Sequence, residues 1–294
     1  MKQTLRNDLL TVVVDSHGAE LQSIVDNRTG HEYLWQADKA FWGRRSPVLF
    51  PIVGAVWNGT FTMDGREYRM GQHGFARDCD FTVMEGAPDD EAWFALEASE
   101  GTMAMYPRRF RLETGYALQG ERLTVMWRVH NLDSRDMYFQ IGAHPAFNLP
   151  AFSAADPVHG YLMCDRRSGL RAEVIAEKGC VGAVETDVVT DDSGMIPIEA
   201  RTFAHDAIIL DGQGVGRVSL LDKERSPYLS MFFDAPLVGL WAPKPDAPFV
   251  CIEPWWGRCD RTGCQGEFAA REHVNRLEPG ARFDASYMVI FENL

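Results

Sequence analysis

The stretch Phe110-Arg111-Leu112-Glu113-Thr114-Gly115-Tyr116-Ala117-Leu118-Gln119-Gly120-Glu121-Arg122-Leu123-Thr124-Val125-Met126-Trp127-Arg128-Val129-His130 decides the fold class. Phe110, Leu112, Thr114, Tyr116 and Leu118 fall on one side of an extended chain, with Arg111, Glu113 and Gln119 on the other. A period of two marks a half-buried strand. After the turn Gln119-Gly120-Glu121 the alternation resumes, with Leu123, Val125, Trp127 and Val129 opposed to Arg122, Thr124, Arg128 and His130. The two runs read as an antiparallel hairpin with one face in a core.

Working outward, Phe61-Thr62-Met63, the pair Asp64-Gly65 and Glu67-Tyr68-Arg69-Met70 predict a second hairpin, because Asp-Gly suits the positive φ angles of a type I′ turn. Strand-like runs cover residues 10–14, 81–84, 93–96, 137–141, 217–221, 228–233, 249–252 and 287–291. Helix is expected only near 102–106, where Pro107 stops it, and near 267–274. Many short strands without a repeat period or a βαβ rhythm predict an all-β chain, a large antiparallel β-sandwich.

With 294 residues, 46% of them hydrophobic and 24% charged, the chain can bury a large core without metal or disulfide help. Pro and Gly are scattered and no Ser/Gly-rich or charged block divides the sequence, so a single domain over residues 1–294 is expected. The start, Met1-Lys2-Gln3-Thr4-Leu5-Arg6-Asn7-Asp8, lacks the apolar stretch of a signal peptide. No run approaches the roughly eighteen apolar residues of a membrane helix. A cytoplasmic location and free thiols for the six cysteines are expected. Cys251, Cys259 and Cys264 with His273 have spacings that fit no zinc finger or ribbon. The net charge of −13, without any Lys/Arg-rich run, argues against nucleic acid and anionic membrane as partners.

Five segments combine reactive side chains with an unusual density of Gly, Pro and aromatics. They are Arg44-Arg45-Ser46-Pro47-Val48-Leu49-Phe50-Pro51, His73-Gly74-Phe75-Ala76-Arg77-Asp78, Ala143-His144-Pro145-Ala146-Phe147-Asn148-Leu149-Pro150, His205-Asp206-Ala207, and Cys251-Ile252-Glu253-Pro254-Trp255-Trp256-Gly257. In each, a polar group lies beside apolar neighbours that hold it still and keep water away. Aromatics suit a sugar, whose C–H face packs on a ring while its hydroxyls need directional partners. The bland reading of His144 is a turn histidine beside Pro145, and that of Glu253 a buried ion pair with an arginine. Trp241, Trp255, Trp256 and Phe147, taken singly, read as core. Asp78 and Asp260 read as structural.

HGFARD, HPAFNLP and CIEPWWG, in this order and at these separations, resemble the aldose 1-epimerase family, and within it the bacterial branch described as LacX-like. The resemblance runs from Gly18-Ala19-Glu20-Leu21 to Leu277-Glu278-Pro279-Gly280. It implies a galactose mutarotase-like β-supersandwich with a substrate groove on one concave sheet, no cofactor or metal, and a small-molecule sugar as substrate, usually galactose or glucose. By similarity His144 matches the general acid and Glu253 the general base, while His73, Arg45 and Asp206 match positions that hold sugar hydroxyls. Arg77, within the first motif, joins them as a candidate.

The residue types suit the chemistry on their own. Opening a hemiacetal ring takes a proton from the anomeric hydroxyl while the ring oxygen receives one, so a base and an acid must flank one C1–O5 bond. At unperturbed pKa values of about 4.3 and 6.5, Glu253 is expected ionised near neutrality and His144 partly protonated. Two other readings stay open: an epimerase of a hexose 6-phosphate, with Arg44, Arg45 or Arg77 on the phosphate, and a non-catalytic carbohydrate-binding or sensing protein. A polysaccharide lyase or hydrolase on the same architecture would need a second catalytic carboxylate or tyrosine, and the sequence singles none out.

Overall fold

The computed structural model describes residues 1–292. The hairpin read from the sequence is its centre. Phe110–Gln119 and Arg122–Asn131 pair antiparallel with Leu118 opposite Leu123, Tyr116 opposite Val125 and Thr114 opposite Trp127. They lie in a nine-stranded sheet, flanked by Arg282–Phe291 on one side and Glu91–Glu97 on the other. An eight-stranded sheet runs through Cys180–Asp187, Arg171–Glu177, Ile208–Asp211, Leu237–Trp241, Phe249–Trp256, Ile141–Ala143 and Val48–Leu49, with Ala146–Asn148 also paired to Phe249–Trp256. A three-stranded meander, Lys2–Arg6, Leu10–Asp15 and Glu20–Asp26, adds a smaller sheet.

Apolar side chains of both large sheets meet in one core. Leu123, Val125, Trp127 and Val129 come from the nine-stranded sheet, and Val238, Leu240, Val250, Ile252 and Trp256 from the eight-stranded one. Trp127 and Trp256 touch edge to face, ring centres 5.7 Å apart. The all-β sandwich expected from alternation is therefore the observed architecture. No helix among the described residues is long and apolar enough to cross a membrane. All six cysteines are free.

Local expectations fared unevenly. Thr60–Met63 and Arg66–Arg69 form the Asp-Gly hairpin, with φ of 52° at Asp64 and 71° at Gly65. The helix Glu100–Met105 forms behind a capping box between Ser99 and Thr102. The helix expected at 267–274 does not form; only a 3-10 turn, Phe268–Ala270, stands there. Tertiary contacts win over local propensity at this point. The Glu267 carboxylate accepts from the Asp64 and Gly65 amides, Phe268 packs on Phe61, and Arg271 turns to Asp260 and the Thr60 carbonyl. The run at 137–141 breaks into Met137–Phe139 and Ile141–Ala143, because Gln140 leaves the ladder to bind the Val53 amide and the Arg258 carbonyl.

Candidate active site

The strand Phe249–Trp256 is buried along its whole length, and period two divides its duties. Val250, Ile252 and Trp256 face the sandwich core. Phe249, Cys251, Glu253 and Trp255 face the other way; Glu253 and Trp255 line a cavity of about 530 Å³, while Phe249 and Cys251 pack in a small apolar cluster with Trp35 and Ala146. Ile141–Ala143 and Ala146–Asn148 pair with this strand in one continuous register, Gly142 opposite Trp255 and Ala146 opposite Cys251. The same register sets His144, in the break beside Pro145, across from Glu253. His144 Nε2 lies 3.3 Å from Glu253 Oε2, with side chains only 9% and 1% exposed. The Glu253 carboxylate thus meets a histidine, not the arginine of the bland reading.

Aromatic walls hold the imidazole. Trp42 stacks on it at 4.6 Å between centres, Trp241 meets it edge-on at 5.4 Å, and His73 does so at 5.5 Å. His73 Nδ1 accepts from the Gly54 amide at 3.1 Å, so its proton sits on Nε2. Burial above all, with the His144 ring and the cations Arg77 and Arg44 nearby, holds the His73 pKa well below the usual value and favours its neutral form.

Burial overturns the protonation states expected from unperturbed values. Desolvation pushes the Glu253 carboxyl well up, and the Asp206 charge adds to that. Desolvation also brings His144 down to about 3, helped by Arg77 and Arg44 and partly opposed by its own backbone. Without ligand, burial therefore favours the neutral form of each group of the pair. A carboxylic acid beside an imidazole and a carboxylate beside an imidazolium carry the same number of protons, and one transfer over 3.3 Å interconverts them.

Five of the six residues singled out in the sequence line this cavity: His73, Arg77, His144, Asp206 and Glu253. Arg45 is not on its wall. The Arg45 amide donates to Glu20, and its guanidinium reaches the Gln36 carbonyl at 3.4 Å. Arg77 is the one arginine or lysine on the wall among the described residues. It donates to the Gln72 carbonyl at 2.6 Å, and burial beside Arg44 brings its pKa to about 10, so it stays a cation at neutral pH. Arg44 is engaged by Asp78 at 2.8 Å. Asp206 is exposed, on a turn with φ of 71°.

Sequence reasoning passed over Trp42 and Gln72, and gave Trp241 and Trp255 to the core, yet all four line the cavity. Gln72 directly precedes the first motif and Trp42 stands two residues before Arg44. That adjacency was the available signal. Trp256 and Phe147 are core as expected. Asp260 is structural too, accepting from the Trp57 amide and from Arg271.

The Trp255 indole lies across two glycines. A Cβ added at Gly142 or at Gly239 would stand 2.6 Å from its ring atoms. Its Nε1 donates to the Ala143 carbonyl at 3.2 Å. Gly239→Ala should therefore shift the indole that forms the floor beside Glu253, costing about 1–3 kcal/mol as overpacking does. Denaturant titration should show the loss; a midpoint equal to that of the parent would contradict the packing described.

Comparison with known proteins agrees with this architecture. The family model for aldose 1-epimerase matches residues 1–158, which hold His73 and His144. The chromosomal LacX protein of Lactococcus lactis is 30% identical over 262 residues, 86% of this chain and 87% of that protein. A galactose mutarotase related enzyme from Lactobacillus acidophilus superposes with a TM-score of 0.91 at 32% identity, covering 100% of this chain and 98% of the other. A galactose mutarotase-like protein from Lactobacillus casei does so with a TM-score of 0.93 at 27% identity, over 99% and 100%. With a matching family model, a matching fold and relatives that span nearly its whole length, the chain belongs to the aldose 1-epimerase family.

Proposed function

We propose that the protein is an aldose 1-epimerase that interconverts the α and β anomers of a free hexose, with Glu253 as base and His144 as acid. The observation that carries this reading is the imidazole–carboxyl contact at 3.3 Å on the floor of the cavity. Sugar hydroxyls entering the cavity donate to the carboxylate, which favours the ionic form of the pair. Glu253 then takes the proton of the anomeric O1–H while His144 delivers its proton to O5. The C1–O5 electrons pass to O5, and C1–O1 becomes the aldehyde carbonyl. After rotation about C1–C2, the C5 hydroxyl attacks the other face of C1 and both protons return by the same two groups. His73 Nε2–H, Arg77 and Asp206 supply donors and an acceptor to the remaining hydroxyls.

A neutral sugar is favoured over its 6-phosphate because Arg77 is the sole arginine or lysine on the described wall and Asp206 opposes it. A phosphate dianion calls for two or more cationic or backbone donors. The test follows relaxation of optical rotation for glucose, galactose and their 6-phosphates. At least one free hexose should be accelerated. A tenfold or larger kcat/KM advantage for the phosphates, worth about 1.4 kcal/mol, would reverse the assignment. Binding of both anomers without acceleration would identify a sugar-binding protein.

The pH dependence follows from the pair. The active form carries one proton on the two groups together. A second proton must go onto the depressed His144, and the last must leave the elevated Glu253. The plateau in kcat/KM should therefore extend on both sides of the interval of about 4.3 to 6.5 set by ordinary values. Rates corrected for uncatalysed mutarotation should show it; a bell confined to that interval would contradict the assignment.

A further inference from the structure

The cysteines weighed as a zinc group in the sequence do not come together as one. A different set does: a ring nitrogen of His144, Sγ of Cys251 and a carboxylate oxygen of Glu253 all lie within 4.8 Å of one another. Period two in the strand Phe249–Trp256 puts Cys251 and Glu253 on one face, and the shared register sets His144 opposite. All three side chains are buried, and Glu253 Oε2 makes no hydrogen bond apart from its ion-pair contact with His144.

We propose that this triad is an inhibitory site for a thiophilic divalent cation such as Zn2+ or Cd2+, entering from the cavity. One thiolate, one imidazole and one carboxylate form a donor set these ions take, whereas Mg2+ and Ca2+ prefer oxygen alone. Tetrahedral zinc, with bonds of about 2.0–2.3 Å, needs ligand atoms nearer together than 4.8 Å, so the triad closes on the ion. The fourth position faces the cavity and takes water. On binding, the Cys251 thiol proton and any carboxyl proton leave to solvent. The ion occupies both members of the proposed acid–base pair, so inhibition rests on the function proposed above, whereas binding does not.

The experiment uses the full chain, ZnCl2 and CdCl2, with Cys251→Ala and Cys251→Ser as two independent variants. Binding is read by competition with a chromophoric chelator and by ultraviolet sulfur-to-cadmium absorption. Zinc affinity should fall at least tenfold in a folded variant, and the cadmium band should lose the contribution of one thiolate. Zinc should slow anomer interconversion by the wild-type protein, with saturating sugar protecting it, while the variants keep their activity and lose that sensitivity. Equal metal affinity and an equal cadmium band in wild type and variants would overturn the site. If the wild type interconverts no hexose, the catalytic proposal fails while the binding measurements still decide the metal site.

Discussion

Glu253→Gln should lower kcat by at least the roughly hundredfold typical of a lost general base. Gln keeps the shape of the side chain but takes up no proton from O1–H. The same variant should melt at a higher temperature at neutral pH. Burial raises the Glu253 pKa in the native state, so the native protein holds this proton more tightly than the unfolded chain does. The stability this group contributes is complete below the unfolded value of about 4.3 and is lost as pH rises toward the raised native one. Gln does not titrate and escapes that loss. A gain of a few degrees in Tm at pH 8, shrinking toward pH 4, is the expected pattern. Near-normal turnover would remove Glu253 from its role, whatever the melting curve showed.

His144→Asn should be about as harmful to kcat, because O5 then leaves without a proton. The double variant decides whether the residues act together. Two groups that share one proton across 3.3 Å form a unit, and removing the second member of a broken unit costs little. The combined loss should therefore stand near that of the worse single variant. Losses that multiply in full would mean that the residues work independently. Rotation relaxation on purified proteins of matched fold, checked by circular dichroism, measures all three.

What the sequence made legible were features written locally. The hairpin 110–130 shows in its alternation, and the Asp64-Gly65 turn in its dipeptide. The paired strands Arg171–Glu177 and Cys180–Asp187 were not legible. Much of the second is exposed at a sheet edge and its register is broken by bulges, so no apolar rhythm marks it. Glu113, placed on the outer face by alternation, is buried all the same, because Arg111, Arg128 and His130 surround its carboxylate.

In the site, motif letters pointed to His144 and Glu253, but their contact depends on a register between segments over a hundred residues apart. Their protonation was misjudged for the same reason. Desolvation is a property of the assembled cavity, and unperturbed values know nothing of it. Arg45, put forward by similarity, lies off the cavity wall with its guanidinium on the Gln36 carbonyl, a placement that motif letters do not carry.

Asp206 stands apart from its companions in one respect. Glu253 and His144 are fixed by a ladder buried on both faces, while Asp206 rides on an exposed turn following residues that belong to no strand or helix. Floor and rim of the cavity thus have different tolerances for change. On the proposed reading, ring opening belongs to a floor that cannot shift without unpicking the sandwich, whereas recognition of the outer hydroxyls belongs to a rim that can be rewritten loop by loop. A family built this way can trade one hexose for another at the rim and leave the proton chemistry beneath untouched.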